Sequence, residues 1–103
     1  MTDRKLLEAA AKAAGMTQGK HRALGGLLMA NDLYWDPLTD DGDALRLAVE
    51  LRISADFFDD AIYVGYTPLD NECDQVEEPV GSDPYAATRR AIVRAAAEIG
   101  RQA

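Results

Sequence analysis

Three aspartates, Asp40, Asp41 and Asp43, crowd around Gly42. Oxygen donors this dense suit a hard cation, and a glycine among them suits the sharp turn of a calcium loop. The register decides between that chemistry and a plainer one. With Gly42 at the sixth position of such a loop, ligating positions one, three, five and twelve fall on Pro37, Thr39, Asp41 and Ala48. Proline and alanine carry no side-chain oxygen, and the bidentate acid is missing, so the calcium reading fails. A helix start fits better. Thr39 is a good N-cap, and the three acids occupy the first turn, where the helix dipole favours negative charge by about 0.3–1 kcal/mol each.

Other residues that could carry chemistry are scarce. His21 is the only histidine and Cys73 the only cysteine. Neither has an activating neighbour in sequence, so no nucleophile and base can be paired locally. One of each leaves a tetrahedral zinc site two ligands short. There is no P-loop and no GxGxxG, and Gly25-Gly26 alone reads as a turn or bulge. The expectation is a non-enzyme with no cofactor and no metal. A lone cysteine excludes an internal disulfide and suits a reducing compartment.

Charge is more informative. The net charge is −7, which argues against direct DNA binding and against a membrane surface. No lysine or arginine occurs from Ile53 to Thr88, a span rich in acids. Asp56, Asp59, Asp60, Asp70, Glu72, Asp74, Glu77 and Glu78 are therefore read as an acidic binding face. Such a face could dock on the basic groove of a partner protein, with carboxylates standing in for phosphates. The plainer reading is a solvated surface that keeps a small domain dispersed. The opposite charge offers an alternative. Arg89, Arg90 and Arg94, joined by Lys20, His21 and Arg22, could form a pocket for the phosphates of a signalling nucleotide. Tyr85, or one of Tyr63, Tyr66 and Trp35, would stack on the base. The plainer reading is that Arg90 and Arg94, four apart on a helix, are solvated or paired with Glu98.

These groups must be positioned by a single small domain, residues 1–103. Thr2 to Ala14 reads as a helix capped by Thr2 or Asp3 and stopped by Gly15. "ALGGLLMA" reads as a short buried strand, and Trp35 as the anchor of the loop around Pro37. The second helix follows from Thr39, with Ala44, Leu45, Leu47, Ala48, Val49 and Leu51 as its buried face and Arg52 in its last turn. Ile53 to Tyr66 reads as two strands joined at Asp59-Asp60, Thr67 to Glu72 as a loop, and Cys73 to Val80 as an edge strand. Ser82 or Asp83 caps the last helix, Pro84 opens it, and Gly100 ends it after Ile99. The order α-β-α-β-β-β-α predicts an α+β domain: a small, mainly antiparallel sheet of three to four strands packed with three helices. No stretch approaches the roughly 18 apolar residues needed to span a bilayer, and the charged first helix is no secretory leader.

Three stretches, "DRKLLEAAAKAAG", "WDPLTDDGDALRLAVEL" and "DPYAATRRAIVRAAAEIG", resemble in order and spacing the phage ABA-sandwich proteins. These are small phage and prophage proteins of accessory type. The likeness is most specific at Trp35 to Leu51 and at Ala87 to Gly100, and weakest between Ile53 and Val80. It implies an α/β sandwich and a phage accessory gene, and it brings no established activity and no catalytic residue. The resulting expectation is a counter-defence protein in the host cytoplasm. It would inhibit a nucleic-acid-processing or defence protein through the acidic face. A nucleotide sponge is the alternative, and a structural or regulatory phage protein the third reading. The alanine-rich helix faces would also suit a homo-oligomer.

Overall fold

The computed structural model describes residues 2–16, 27–28, 34–67 and 73–102. Its elements are α1 (Asp3–Ala13), β1 (Leu27–Leu28), β2 (Tyr34–Trp35), α2 (Asp41–Leu51), β3 (Ser54–Phe57), β4 (Ala61–Tyr66), β5 (Asp74–Pro79) and α3 (Pro84–Gln102). β1 and β2 form a two-stranded antiparallel ribbon. β3, β4 and β5 form an antiparallel meander with β4 in the centre. The α+β architecture expected from the sequence is the one observed, with the strands divided between two sheets.

The last helix organises the rest. A helix with one neighbour buries one stripe, but α3 buries Ala91, Ile92 and Val93 in succession, then Ala95, Ala96 and Ala97. Consecutive residues point 100° apart, so runs of three commit more than one face. Those faces meet α1, α2 and the β4–β5 side of the meander. Small side chains let these neighbours come close. The extreme case is Gly100, where a Cβ would stand only 1.9 Å from the Ala9 carbonyl oxygen of α1. Gly100 was expected to stop the helix. It lies inside it instead, because its role is close packing and not chain reversal.

α1 starts as expected: Thr2 is the cap and its hydroxyl accepts from the Lys5 N–H. Gly15 follows the helix in the left-handed region, with φ of 72°. The start of α2 differs by one residue. Asp40, not Thr39, is the N-cap, and its carboxylate accepts from the Asp43 N–H at 2.7 Å. Thr39 is used one step earlier, its N–H closing a turn on the Asp36 carbonyl. The acidic loop is thus spent within the fold, on backbone N–H groups and on the guanidinium groups of Arg46 and Arg89. Asp43 accepts from the Asp36 N–H, and buried Asp36 accepts from the Leu38 N–H. Trp35 and Pro37 are buried beside it, which anchors the loop.

The buried face of α2 is narrower than expected. Ala44 and Leu47 are buried, with Ala48 and Leu51 partly so, but Leu45 and Val49 are 64% and 70% exposed. The helix rests chiefly on α3, and one contact line needs one stripe. Arg52 is not in the last turn but just past it, in the left-handed conformation with φ of 57°. The Ile53 N–H then closes back on the Ala48 carbonyl. For α3, Asp83 is the cap, accepting from the Tyr85 and Ala86 N–H groups, with Pro84 first.

Candidate functional site

Period-two alternation sorts the sheet's side chains onto two faces. Ala55, Val64 and Val76 pair across the meander and point toward the helices. Asp56, Tyr63 and Glu77 form the next row and point the other way. Asp60 and Phe58, from the β3–β4 turn, complete that outer face, where they surround a shallow depression with Asp56, Tyr63 and Gln75. The Phe58 and Tyr63 rings meet edge to face at 5.5 Å between centroids. The face is an aromatic pair set among carboxylates.

Its electrostatics follow from that setting. Glu77 beside Tyr63 holds the tyrosine pKa above its ordinary value, with help from burial, a hydrogen bond to Glu77 and the charge of Asp60. No basic side chain lies anywhere in the chain between Ile53 and Thr88, so nothing within the meander offsets the acids.

The expected acidic face is therefore brought together only in part. Asp56, Asp59, Asp60 and Glu77 lie on or beside the outer side, all exposed. Glu78 is not among them. Its neighbouring position turns it to the helix side, where it pairs with Arg94 at 3.2 Å. Asp74 has the same parity as Glu78, and its carboxylate accepts from the buried Tyr66 hydroxyl at 3.4 Å. Burial first, and then Asp74, raise the Tyr66 pKa. Asp70 and Glu72 lie outside the described residues.

The expected arginine pocket is divided for a helical reason. Arg89 and Arg90 are adjacent and so diverge by 100°. Arg89 and Tyr85, four apart, share one side of α3 and line a groove of about 400 Å³ beside α2 and Phe57. Arg89 donates to the Leu38 carbonyl at 2.9 Å and pairs with Asp41 at 2.6 Å. Arg90 and Arg94 lie on the other side with Arg101, in a second cleft of about 400 Å³ between α1, α3 and β5. Each of these three is paired: Arg90 with Asp3, Arg94 with Glu78, Arg101 with Glu98. Glu98 thus takes Arg101 and not Arg94. Lys20, His21, Arg22 and Gly25-Gly26 lie outside the described residues. Among the described residues, no group of three or more His, Cys, Asp or Glu is placed to hold a metal ion, and no helix is long and apolar enough to cross a membrane.

Sequence reasoning missed the role of Tyr63 and Phe58 within the acidic face, although alternation across Asp56-Phe57-Phe58 and Gln75-Val76-Glu77 carries the signal. It also missed the apolar groove, whose lining comes from distant parts of the chain. Compared with known proteins, the chain matches no family model, no curated protein and no solved structure.

Proposed function

We propose that this is a binding protein without catalytic activity, and that the outer face of the meander docks on a basic surface of a partner protein. One observation carries the reading: Asp56, Asp60 and Glu77 flank an accessible tyrosine on a face whose three strands contain no cation. Carboxylates arrayed around an aromatic complement an arginine- or lysine-rich surface, with the ring as anchor and the charges for steering. Taken with the phage resemblance, the partner is a host nucleic-acid-processing or defence protein in the host cytoplasm, and the effect is inhibition.

Capture from a bacterial lysate at low and moderate salt tests this with the wild type beside an Asp56→Lys, Asp60→Lys, Glu77→Lys triple variant. The expected result is a basic protein retained by the wild type, released by salt and not held by the variant. Identical retention by both chains would end the reading. Screening decides the salt range, because exposed charges decouple beyond about 8–10 Å at physiological ionic strength.

The nucleotide sponge has weaker support. A phosphate entering the Arg90–Arg94–Arg101 cleft would have to displace Asp3, Glu78 and Glu98 from arginines they already satisfy. A thermal-shift screen of cyclic and ADP-ribose-type nucleotides addresses it directly. A shift abolished by Arg90→Glu would revive it.

The acidic face is small for its task. One four-residue and two six-residue strands, at roughly 3.4 Å per residue and about 4.8 Å apart, span on the order of 260 Å². A standard interface takes about 800 Å² from each partner. A stable partner must therefore reach past the face, which directs attention to what borders it.

A further inference from the structure

β3 is an edge strand: β4 lies on one side, and among the described residues no strand lies on the other. The hairpin register shows which of its backbone groups are spent. The Phe58 N–H donates to the Ala61 carbonyl at 3.0 Å. In an antiparallel ladder, hydrogen-bonded pairs alternate with pairs that are not. Counting back through the pairing, Asp56 and Ser54 turn their N–H and C=O groups to β4, while Ala55 and Phe57 turn theirs outward. Ile53 keeps the alternation, since its outward N–H is taken by the Ala48 carbonyl at the end of α2. Ala55 and Phe57 then face the open edge.

That edge borders the apolar groove between α2, β3 and the start of α3. Leu45, Phe57 and Tyr85 are 64%, 67% and 70% exposed at its mouth, and Ile92 lines it. Arg89 also lines it, but its guanidinium is held by Asp41 and the Leu38 carbonyl. On the other face of the same strand stands Asp56, the first acid of the outer row. One strand thus presents backbone groups at its edge that are unpaired among the described residues, an apolar groove on one side and a carboxylate on the other.

We propose that the β3 edge takes an extended segment of the partner protein as a fourth strand. Apolar side chains at alternate positions of that segment enter the groove, and lysines or arginines at the intervening positions lie over Asp56. Period two makes both contacts available in a single register, which a helix lying in the groove would not achieve. A second copy of this chain is the poorer occupant. Antiparallel β3–β3 pairing sets the two Asp56 side chains on one face close together, and like charges so placed repel. The inference deepens the docking reading above and rests on it for its charged half.

The probe is a labelled heptapeptide of alternating lysine and valine, titrated with the full chain at low salt and read by fluorescence anisotropy. Its isomer with the lysines and valines in separate blocks is the composition control. The alternating peptide is expected to bind on the order of tenfold tighter than the isomer. Backbone N-methylation of alternate residues should abolish binding in one phase and spare it in the other, because only every second N–H faces β3. Phe57→Pro should also lower affinity about tenfold while keeping the β3–β4 ladder, since the N–H it removes points away from β4. Leu45→Asp tests the groove from an exposed helix position, and it too should weaken binding. Equal binding of the isomer, or wild-type affinity in Phe57→Pro, overturns the proposal, as does self-association of the chain through β3. The paired reversal Asp56→Lys and Glu77→Lys separates the two readings. Binding lost there but kept in Phe57→Pro leaves face docking standing and removes strand addition. Binding kept there but lost in Phe57→Pro supports strand addition and removes the acidic face.

Discussion

Gly100→Ala adds one methyl group where α1 and α3 touch, and the structure sets its cost. The new Cβ would lie 1.9 Å from the Ala9 carbonyl oxygen and 2.8 Å from the Ala9 carbonyl carbon. Contacts of this kind essentially never fall below 3.0 Å, so the helices must separate by about 1 Å. The obstacle is backbone, which no rotamer change can move. A gap of that size forfeits roughly a quarter to a half of the dispersion attraction across the contact. Overpacking of a core costs about 1–3 kcal/mol, and the upper end applies where main chain must shift. Alanine returns up to about 1 kcal/mol of helix propensity, less so close to a helix end. The net expectation is a loss of about 2 kcal/mol. At roughly 2.1 cal/mol/K of unfolding entropy per residue, that lowers Tm by about 9 °C for a chain of this length. Thermal unfolding followed by circular dichroism measures it, with Ala9→Gly added as a check. Because the clash is with the carbonyl and not the side chain of residue 9, the second change should not rescue the first. A Tm equal to or above the wild type, or full rescue by Ala9→Gly, would refute the close-packing account.

Asp40→Ala removes the cap of α2 and leaves the Asp43 N–H unpaired; a loss of about 1 kcal/mol is expected in urea unfolding, with the slope unchanged. The tyrosines give a pH test. Tyr63 and Tyr66 should titrate above about 10 in an ultraviolet difference titration, and Glu77→Gln should bring the Tyr63 share down toward that value. The sign for stability follows. A raised folded pKa means that the folded chain keeps its proton after the unfolded chain has lost it. The contribution is therefore whole below pH about 10 and disappears as pH rises through the folded midpoint. A Tyr63 midpoint that ignores Glu77→Gln would show that the outer row does not couple as described.

What was legible in the sequence is what local chemistry decides. Thr2 with Gly15, and Asp83 with Pro84, mark their helix ends because caps and left-handed glycines act within a few residues. Asp59-Asp60 was legible as a turn for the same reason. The misreadings came from distance. Gly100 looks like a stop signal until Ala9 is placed against it. Leu45 and Val49 look buried until α2 proves to need a single stripe. Thr39 looks like the cap of α2 until the turn closed on the Asp36 carbonyl carries the helix start one residue on and sets the Asp40 carboxylate on the Asp43 N–H. At the candidate site, strand alternation could place Asp56 and Glu77 on one face and Glu78 on the other. The split of Arg89 from Arg90 was equally available from helical geometry. The groove was not, because Leu45, Phe57 and Tyr85 meet only once three elements are assembled.

The central position of α3 also bears on how the chain acquires its structure. Its partners were all made before it: Arg90 reaches Asp3 across 87 residues, and Arg89 reaches Leu38 across 51. A nascent chain that has not yet produced Pro84 has nothing against which to bury the apolar sides of α1, α2 and the meander, and helices of 11 residues are marginal alone. Synthesis therefore runs well ahead of consolidation. Closing such long loops delays the rewarding contacts, which slows folding relative to a bundle of neighbours in sequence. The alanine stripe of α1 and the inner face of the meander are the surfaces a chaperone would meet in that interval. The arrival of one helix then buries both together, so the final step is expected to be abrupt, and α3 is where its transition state should be sought.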